Sequence, residues 1–272
     1  MSSPPNSNSG FPALKVLAVV IGVIVAVLWH RGSPERSFHV SRSVNTPVRN
    51  PIDEALRPRV GVSPREGIGV AILVDTSGSM KDEVASSAGR SMPKIQIART
   101  CLMRLVSQAD TFSRAHADRP LQLGIYEFSA RRDMDNCRPI VPLGPPDVAK
   151  ASAAVARMVP EGSTPIGDAI IAAKQDLDRS GLSRTHILVI TDGENNHGYG
   201  LADVVSGISR LPESSRPAVY LVAFDVAESI FAPVRDAGGL VLAANDQPQL
   251  QQTLDYVLTG KILAEQPAGP GQ

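Results

Sequence analysis

The sequence predicts an α/β fold, a doubly wound, mostly parallel sheet with one antiparallel edge strand, preceded by an N-terminal transmembrane helix. Three observations predict it. Two short apolar, β-branched runs, 68–75 and 185–191, lead into Asp75 and Asp192, the pattern of strands buried on both faces. Segments of helical periodicity alternate with further strand-like runs, the order that covers a sheet on both sides. Ahead of them, residues 16–29 are apolar throughout, Gly22 apart.

The chain has 272 residues, enough for one sizeable domain with additions, and its 43% hydrophobic content is ordinary for a globular protein. Lys+Arg 27 against Asp+Glu 27 leaves no net charge, so nothing electrostatic argues for a nucleic-acid partner. The two cysteines, Cys101 and Cys137, fit neither a metal spacing nor a disulfide framework. Cys101 lies in an apolar helical pattern and reads as a small core residue, a disulfide being the alternative.

Residues 1–10 are polar and uncharged and read as a disordered tail. The apolar run reaches back to Phe11 if Lys15 snorkels. Its length is borderline, since a span takes about 17–25 residues and a signal-peptide core about 7–15. It ends Ala-Val-Leu-Trp-His-Arg, without a small-residue cleavage site, and Trp29 suits a membrane interface. Residues 11–30 are therefore read as an uncleaved single-pass anchor, the alternative being a cleaved signal. Arg31, Arg36, Arg42 and Arg49 follow the span against Glu35, while only Lys15 precedes it. The positive-inside rule then places the following domain in the cytoplasm. Residues 31–66, rich in Pro, Arg and Ser, read as a tether with a short amphipathic piece at 52–56.

The domain itself is expected over 67–260. After the first strand comes a long polar loop, 81–92, then a helix opened by Pro93 and running to about His116, with Ile95, Ala98, Leu102, Leu105 and Val106 on its apolar face. Long loops beside a site carry specificity; a plain insertion is the alternative. Residues 121–129 alternate as a strand, and 138–143 return as an edge strand after a charged turn. Helices follow at 148–158, 165–177, 202–211 and 249–258, and strands at 218–224 and 240–243. The Pro/Gly-rich tail, 261–272, reads as disordered.

Chemistry gathers where the strands end. Asp75, Ser77 and Ser79 alternate across a turn permitted by Gly78. A carboxylate beside two hydroxyls suits a hard cation, Mg²⁺ or Mn²⁺, rather than zinc or copper. Alone, the triplet is also ordinary loop chemistry. Thr164 adds a hydroxyl before a helix opened by Pro165, and the second strand ends in Asp192-Gly193-Glu194-Asn195-Asn196. Open α/β sheets place their ligands at such strand ends.

Together Asp75-x-Ser77-x-Ser79, Thr164 and Asp192-Gly193 resemble the metal-ion-dependent adhesion site of the von Willebrand factor A (vWA) domain family, over roughly 67–260. Gly-Ser-Thr-Pro and Thr-Asp-Gly-Glu-Asn-Asn have the form common in bacterial members. The resemblance implies a Rossmann-like vWA fold and a Mg²⁺ or Mn²⁺ held by Asp75, Ser77, Ser79, Thr164 and Asp192. Ser77, Ser79 and sometimes Thr164 would touch the ion, with the aspartates acting through water. It implies an open coordination position that accepts a Glu or Asp from a partner protein. Met80, Gly193, Glu194 and Asn195 are expected on the partner-binding rim. His197 is a further rim residue or a solvated loop residue, and Asp168 a cap or outer contact. Adhesion or complex assembly is the implied role, with assembly beside an intracellular ATPase as an alternative. Many membrane-tethered bacterial relatives face outward, against the positive-inside reading.

A metal-dependent hydrolase is the remaining alternative. Phosphatases of the haloacid dehalogenase type need a second carboxylate two positions after the first, where this chain has Ser77. The sequence has no Gly-x-Gly-x-x-Gly, no phosphate loop and no Gly-x-Ser-x-Gly elbow, and Asp-Thr-Ser-Gly breaks the aspartic-protease order. It is read as a binding protein, not an enzyme.

Overall fold

The structure, a computed structural model, describes residues 50–58, 64–85, 90–132 and 134–265. The expected tail at 1–10, the anchor at 11–30, much of the tether and residues 266–272 lie outside the described residues. Among the described residues, no helix is long and apolar enough to cross a membrane.

The first long strand, β1 (Arg65–Asp75), is buried from Gly67 to its end. Its side chains alternate between two cores, as a strand's period of two requires. Ile68, Val70, Ile72 and Val74 enter one cluster, and Ala71 and Leu73 the other. After a 3₁₀ turn at Gly78–Lys81 come two short strands, β2 (Glu83–Ala85) and β3 (Ser91–Pro93). Then follow α2 (Lys94–Ala115), β4 (Leu121–Phe128), β5 (Cys137–Gly144), α3 (Val148–Val155), α4 (Ile166–Ser180) and β6 (Leu182–Thr191). The chain closes with α5 (Leu201–Ser209), β7 (Ala218–Phe224), α6 (Ala232–Asp236), β8 (Leu240–Ala244) and α7 (Gln247–Asp255).

The main sheet runs β5-β4-β1-β6-β7-β8. All its pairings are parallel except β4 with β5, the expected antiparallel edge. The chain leaves β1 towards β4 on one side and later returns to β6 on the other. Loops therefore diverge at the carboxyl ends of β1 and β6, and a crevice opens between them. Helix α2 buries all five residues of its expected apolar face. Cys101 is a buried free thiol and Cys137 a half-buried one. Burial pushes both thiols up to about 12, so neither carries thiolate at neutral pH.

Three segments refine or correct the sequence expectation. Within the expected tether, the amphipathic piece expected at 52–56 is a short helix, α1 (Pro51–Ala55). Asn50 caps it through its side chain, Pro51 sits in its first turn, and Ile52 and Leu56 are buried. It packs so closely on α5 that a Cβ at Gly207 would lie 2.6 Å from Leu56 Cδ1. The polar loop 81–92 holds the antiparallel β2–β3 ribbon, anchored through the buried Val84. At the other end, the helix expected over 249–258 runs on, since Tyr256–Ile262 widens into a π-helix, so the tail expected to be disordered from 261 is ordered to Glu265. That keeps Ile262 and Leu263 in the core, and Arg119 binds the carbonyls of Leu263 and Glu265 at 2.9 and 2.7 Å.

Candidate metal centre

Asp75 ends β1 fully buried. Its Oδ1 accepts from the Ser77 N–H at 2.7 Å and its Oδ2 from the Thr191 hydroxyl at 2.6 Å. Burial raises its carboxyl from 3.8 to about 7, against the lowering effect of the Thr191 and Ser77 hydrogen bonds. Thr191 was not singled out in the sequence. It ends β6 one step beyond Ile190, which lies opposite Val74, so the parallel register brings it to Asp75.

The 3₁₀ turn then curls the two serines towards each other. Ser77 Oγ lies 3.2 Å from Ser79 Oγ, and Ser79 donates to Asp192 Oδ1 at 2.8 Å. The Thr164 loop is fixed from two sides. Gly78 N–H binds Gly162 O at 2.9 Å, while Asn196 accepts from the Thr164 N–H at 2.7 Å and donates its own N–H to Thr164 O at 3.1 Å. Gly162 holds φ +88, and a Cβ there would fall 2.1 Å from Ala130 O, so this loop closes only on glycine. A Cβ placed on Gly193 would lie 3.7 Å from Thr164 Oγ1 and 3.9 Å from Ser79 Oγ. Asp75, Ser77, Ser79 and Asp192 are thus linked in one run of contacts at the β1–β6 crevice, and the Thr164 hydroxyl lies across Gly193 from Ser79.

The expected rim divides. Glu194 and His197 are exposed and Gly193 is half-buried. Met80 is no rim residue: the 3₁₀ turn carries it into the core cluster that holds Val84 and Ile95, and it is 0% exposed. Asn195 is a bracket as much as a rim residue, since its Oδ1 accepts from Gly167 N–H at 3.0 Å and its Nδ2 donates to Tyr199 O at 3.1 Å. Asp168 does not cap its own helix. It ties two loops together, accepting from Asn136 Nδ2 at 2.5 Å and from the Tyr199 N–H at 2.8 Å. Arg131 braces the far side, donating to the Ser129 hydroxyl at 2.9 Å and the Thr76 hydroxyl at 3.3 Å.

Two charged residues join the site only through the fold. Lys94 Nζ lies 3.1 Å from Asp192 Oδ2 and 3.0 Å from Asp225 Oδ2. Burial alone would lower its pKa, but the Asp225 and Asp192 carboxylates outweigh that and hold it above the ordinary lysine value. Asp225 follows β7 at φ 53, the sole positive-φ residue other than glycine among those described. The available signal was Lys94 itself, a cation opening a helix where anions are favoured.

The donor set fits a hard divalent cation. Every converging group is an oxygen, and no cluster of three or more His, Cys, Asp or Glu occurs among the described residues. Both oxygens of Asp75 and both of Asp192 already accept from protein donors. The hydroxyls of Ser77, Ser79 and Thr164 would supply such an ion with neutral oxygens and the two carboxylates with charge.

A family model described as the von Willebrand factor type A domain matches residues 70–240. Among solved structures, the chain is similar to a von Willebrand factor type A protein from Catenulispora acidiphila, at 19% identity and a TM-score of 0.55, covering 74% of this chain and 43% of that one. It is similar to the PilB minor pilin from Streptococcus sanguinis, at 14% identity and a TM-score of 0.56, covering 74% of this chain and 62% of that one. It also resembles the vWF domain of the type V pili tip protein Mfa5 from Porphyromonas gingivalis, at 11% identity and a TM-score of 0.53, covering 76% of this chain and 98% of that one. The chain thus spans less than two thirds of the first two proteins, and likenesses this distant concern the fold. A comparison with the curated proteins found no match.

Proposed function

The chain belongs to the von Willebrand factor type A domain family, and from that premise we propose that it binds a protein partner through a Mg²⁺- or Mn²⁺-dependent adhesion site. One observation carries the reading. Ser77, Ser79 and Thr164 present hydroxyls at a point flanked by only two carboxylates, each already hydrogen-bonded by the protein. A cation held there would keep electrophilic character and, being octahedral, room for an outside oxygen. Ser77, Ser79 and Thr164 would hold it directly, and Asp75 and Asp192 would hold it through water. The outside oxygen is best supplied by a Glu or Asp of the partner, so the ion joins two chains. Glu194 and His197 stand exposed beside the site and would meet that partner.

The same reading makes the chain a binding protein without catalytic residues, acting in adhesion or complex assembly. Two of the similar structures are pilus proteins, which supports adhesion. Residues 11–30 would tether the domain to a membrane, their apolar run being long enough to span with Lys15 snorkelling. Capture of partners by the full chain in Mg²⁺, repeated in EDTA and with Asp75→Ala, tests the reading. A partner released by the chelator, recovered on adding Mg²⁺ and absent with a folded Asp75→Ala, is the expected result. Partner binding indifferent to EDTA contradicts it.

A further inference from the structure

Lys94 stands where a cation is costly. It is the first residue of α2, and the free N–H groups of a helix N-terminus favour anions. Its side chain is 7% exposed, which adds a desolvation cost. Asp192 and Asp225 offset both, at 3.1 and 3.0 Å from Nζ. Asp225 itself takes a left-handed backbone conformation uncommon outside glycine, φ 53, secured by its N–H on Ala244 O at 2.7 Å. Two local rules broken around one ammonium point to a functional constraint more than to packing.

The arrangement divides Asp192 between two tasks. Oδ1 faces the Ser79 hydroxyl, on the side where the metal donors converge, while Oδ2 is taken by Lys94. A cation among the hydroxyls would therefore meet an Asp192 whose charge is already offset, with Asp75 as the other carboxylate at the point of convergence. The Asp225 side chain is 41% exposed, so water screens its charge more than theirs.

We infer that Lys94, anchored by Asp225, is an internal counter-cation that weakens the site's hold on a bare divalent ion and leaves the loaded site electropositive, so that a partner's carboxylate completes it. The inference rests on the metal-mediated reading above and adds which residue couples the two ligands. Metal and carboxylate then bind cooperatively, each raising the other's affinity by the same factor.

Calorimetric titration of Mn²⁺ into the full chain in mild detergent, with and without saturating acetate, tests this in wild type, Lys94→Met, Lys94→Arg and Asp225→Asn. Lys94→Met is expected to bind Mn²⁺ roughly tenfold more tightly, the scale of one unit charge acting on a nearby divalent ion in a partly buried site. It should also lose most of the enhancement by acetate. Lys94→Arg keeps the charge and should stay near wild type. Asp225→Asn leaves the ammonium wholly to Asp192 and should weaken Mn²⁺ binding by about threefold on the same reasoning. If Lys94→Met does not fold, the Asp225→Asn result decides alone, and unchanged or tighter binding there overturns the inference. A merely structural lysine predicts weaker binding in Lys94→Met, and that result, or an unchanged affinity, overturns it too. A folded wild-type chain that binds no Mn²⁺ even with acetate defeats the metal reading itself, which is a separate failure.

Discussion

At the scale of single residues, Asp75 governs how the site responds to pH. Burial raises its carboxyl from 3.8 to about 7, so the folded metal-free chain keeps this proton where the unfolded chain has lost it. The resulting stability is fully present below about 4, falls as pH rises, and is gone above about 7. Unfolding midpoints in EDTA should therefore drop between pH 5 and pH 8, and Asp75→Asn should flatten that slope. A slope unchanged in the variant would assign the effect to another group. Mg²⁺ needs the ionised form, so its stabilising effect should grow over the same interval. Gly198 makes a second point at this scale. It holds φ +69, and a Cβ there would lie 2.4 Å from both Asp168 carboxylate oxygens. Gly198→Ala should cost about 1–3 kcal/mol from backbone strain alone, measured by urea unfolding, and weaken metal binding by loosening the Asp168 tie. Wild-type stability in that variant would show that the loop adapts. Lys94 and Asp225 were not legible as a site because Lys94 meets Asp192, 98 residues away, and Asp225, further still, only through the fold. At that separation each reads as a solvated charge. Met80 misled for a different reason: beside Ser79 it looks like a rim residue, and only the 3₁₀ turn shows that it points inward.

Among the elements, legibility followed length and burial. Strands β1 and β6 announce themselves through the buried apolar stretches 68–74 and 187–190. Helix α2 showed its face because 22 residues give the helical period time to repeat. The short pieces did not. Strands β2 and β3 have three residues each, too few for alternation to stand out, while α1, with five, showed only as an amphipathic piece at 52–56. That helix nonetheless belongs to the fold, since Leu56 is 1% exposed and Gln175 donates to Ala55 O at 2.9 Å. Leu56→Ala should destabilise the chain by about 2–5 kcal/mol, the usual cost of emptying a buried leucine site. Chemical denaturation reads this directly. An unchanged midpoint would return residues 50–58 to the tether.

For the whole molecule, the arrangement of the sheet explains why a site exists at all. The reversal of strand order around β1 and β6 parts the loops at one place; Asp75, Ser77, Ser79 and Asp192 stand at or just beyond those strand ends, and Thr164 comes in on the loop before α4. Motif and topology agree because the aspartates are fixed to strand ends while the hydroxyls come on loops those ends support. The set Asp75, Ser77, Ser79, Thr164 and Asp192 was legible through its resemblance to the vWA family, whereas the bracing by Thr191, Asn196 and Arg131 required the fold. On the function proposed, these oxygens bind a divalent cation. Calorimetric titration of Mg²⁺ into the full chain in mild detergent, beside a Ser77→Ala/Ser79→Ala double variant shown to be folded, tests it most directly. Saturable one-site binding in wild type that disappears in the variant is the predicted result. Equal binding in both, or none in a folded wild-type chain even with acetate present, would contradict it.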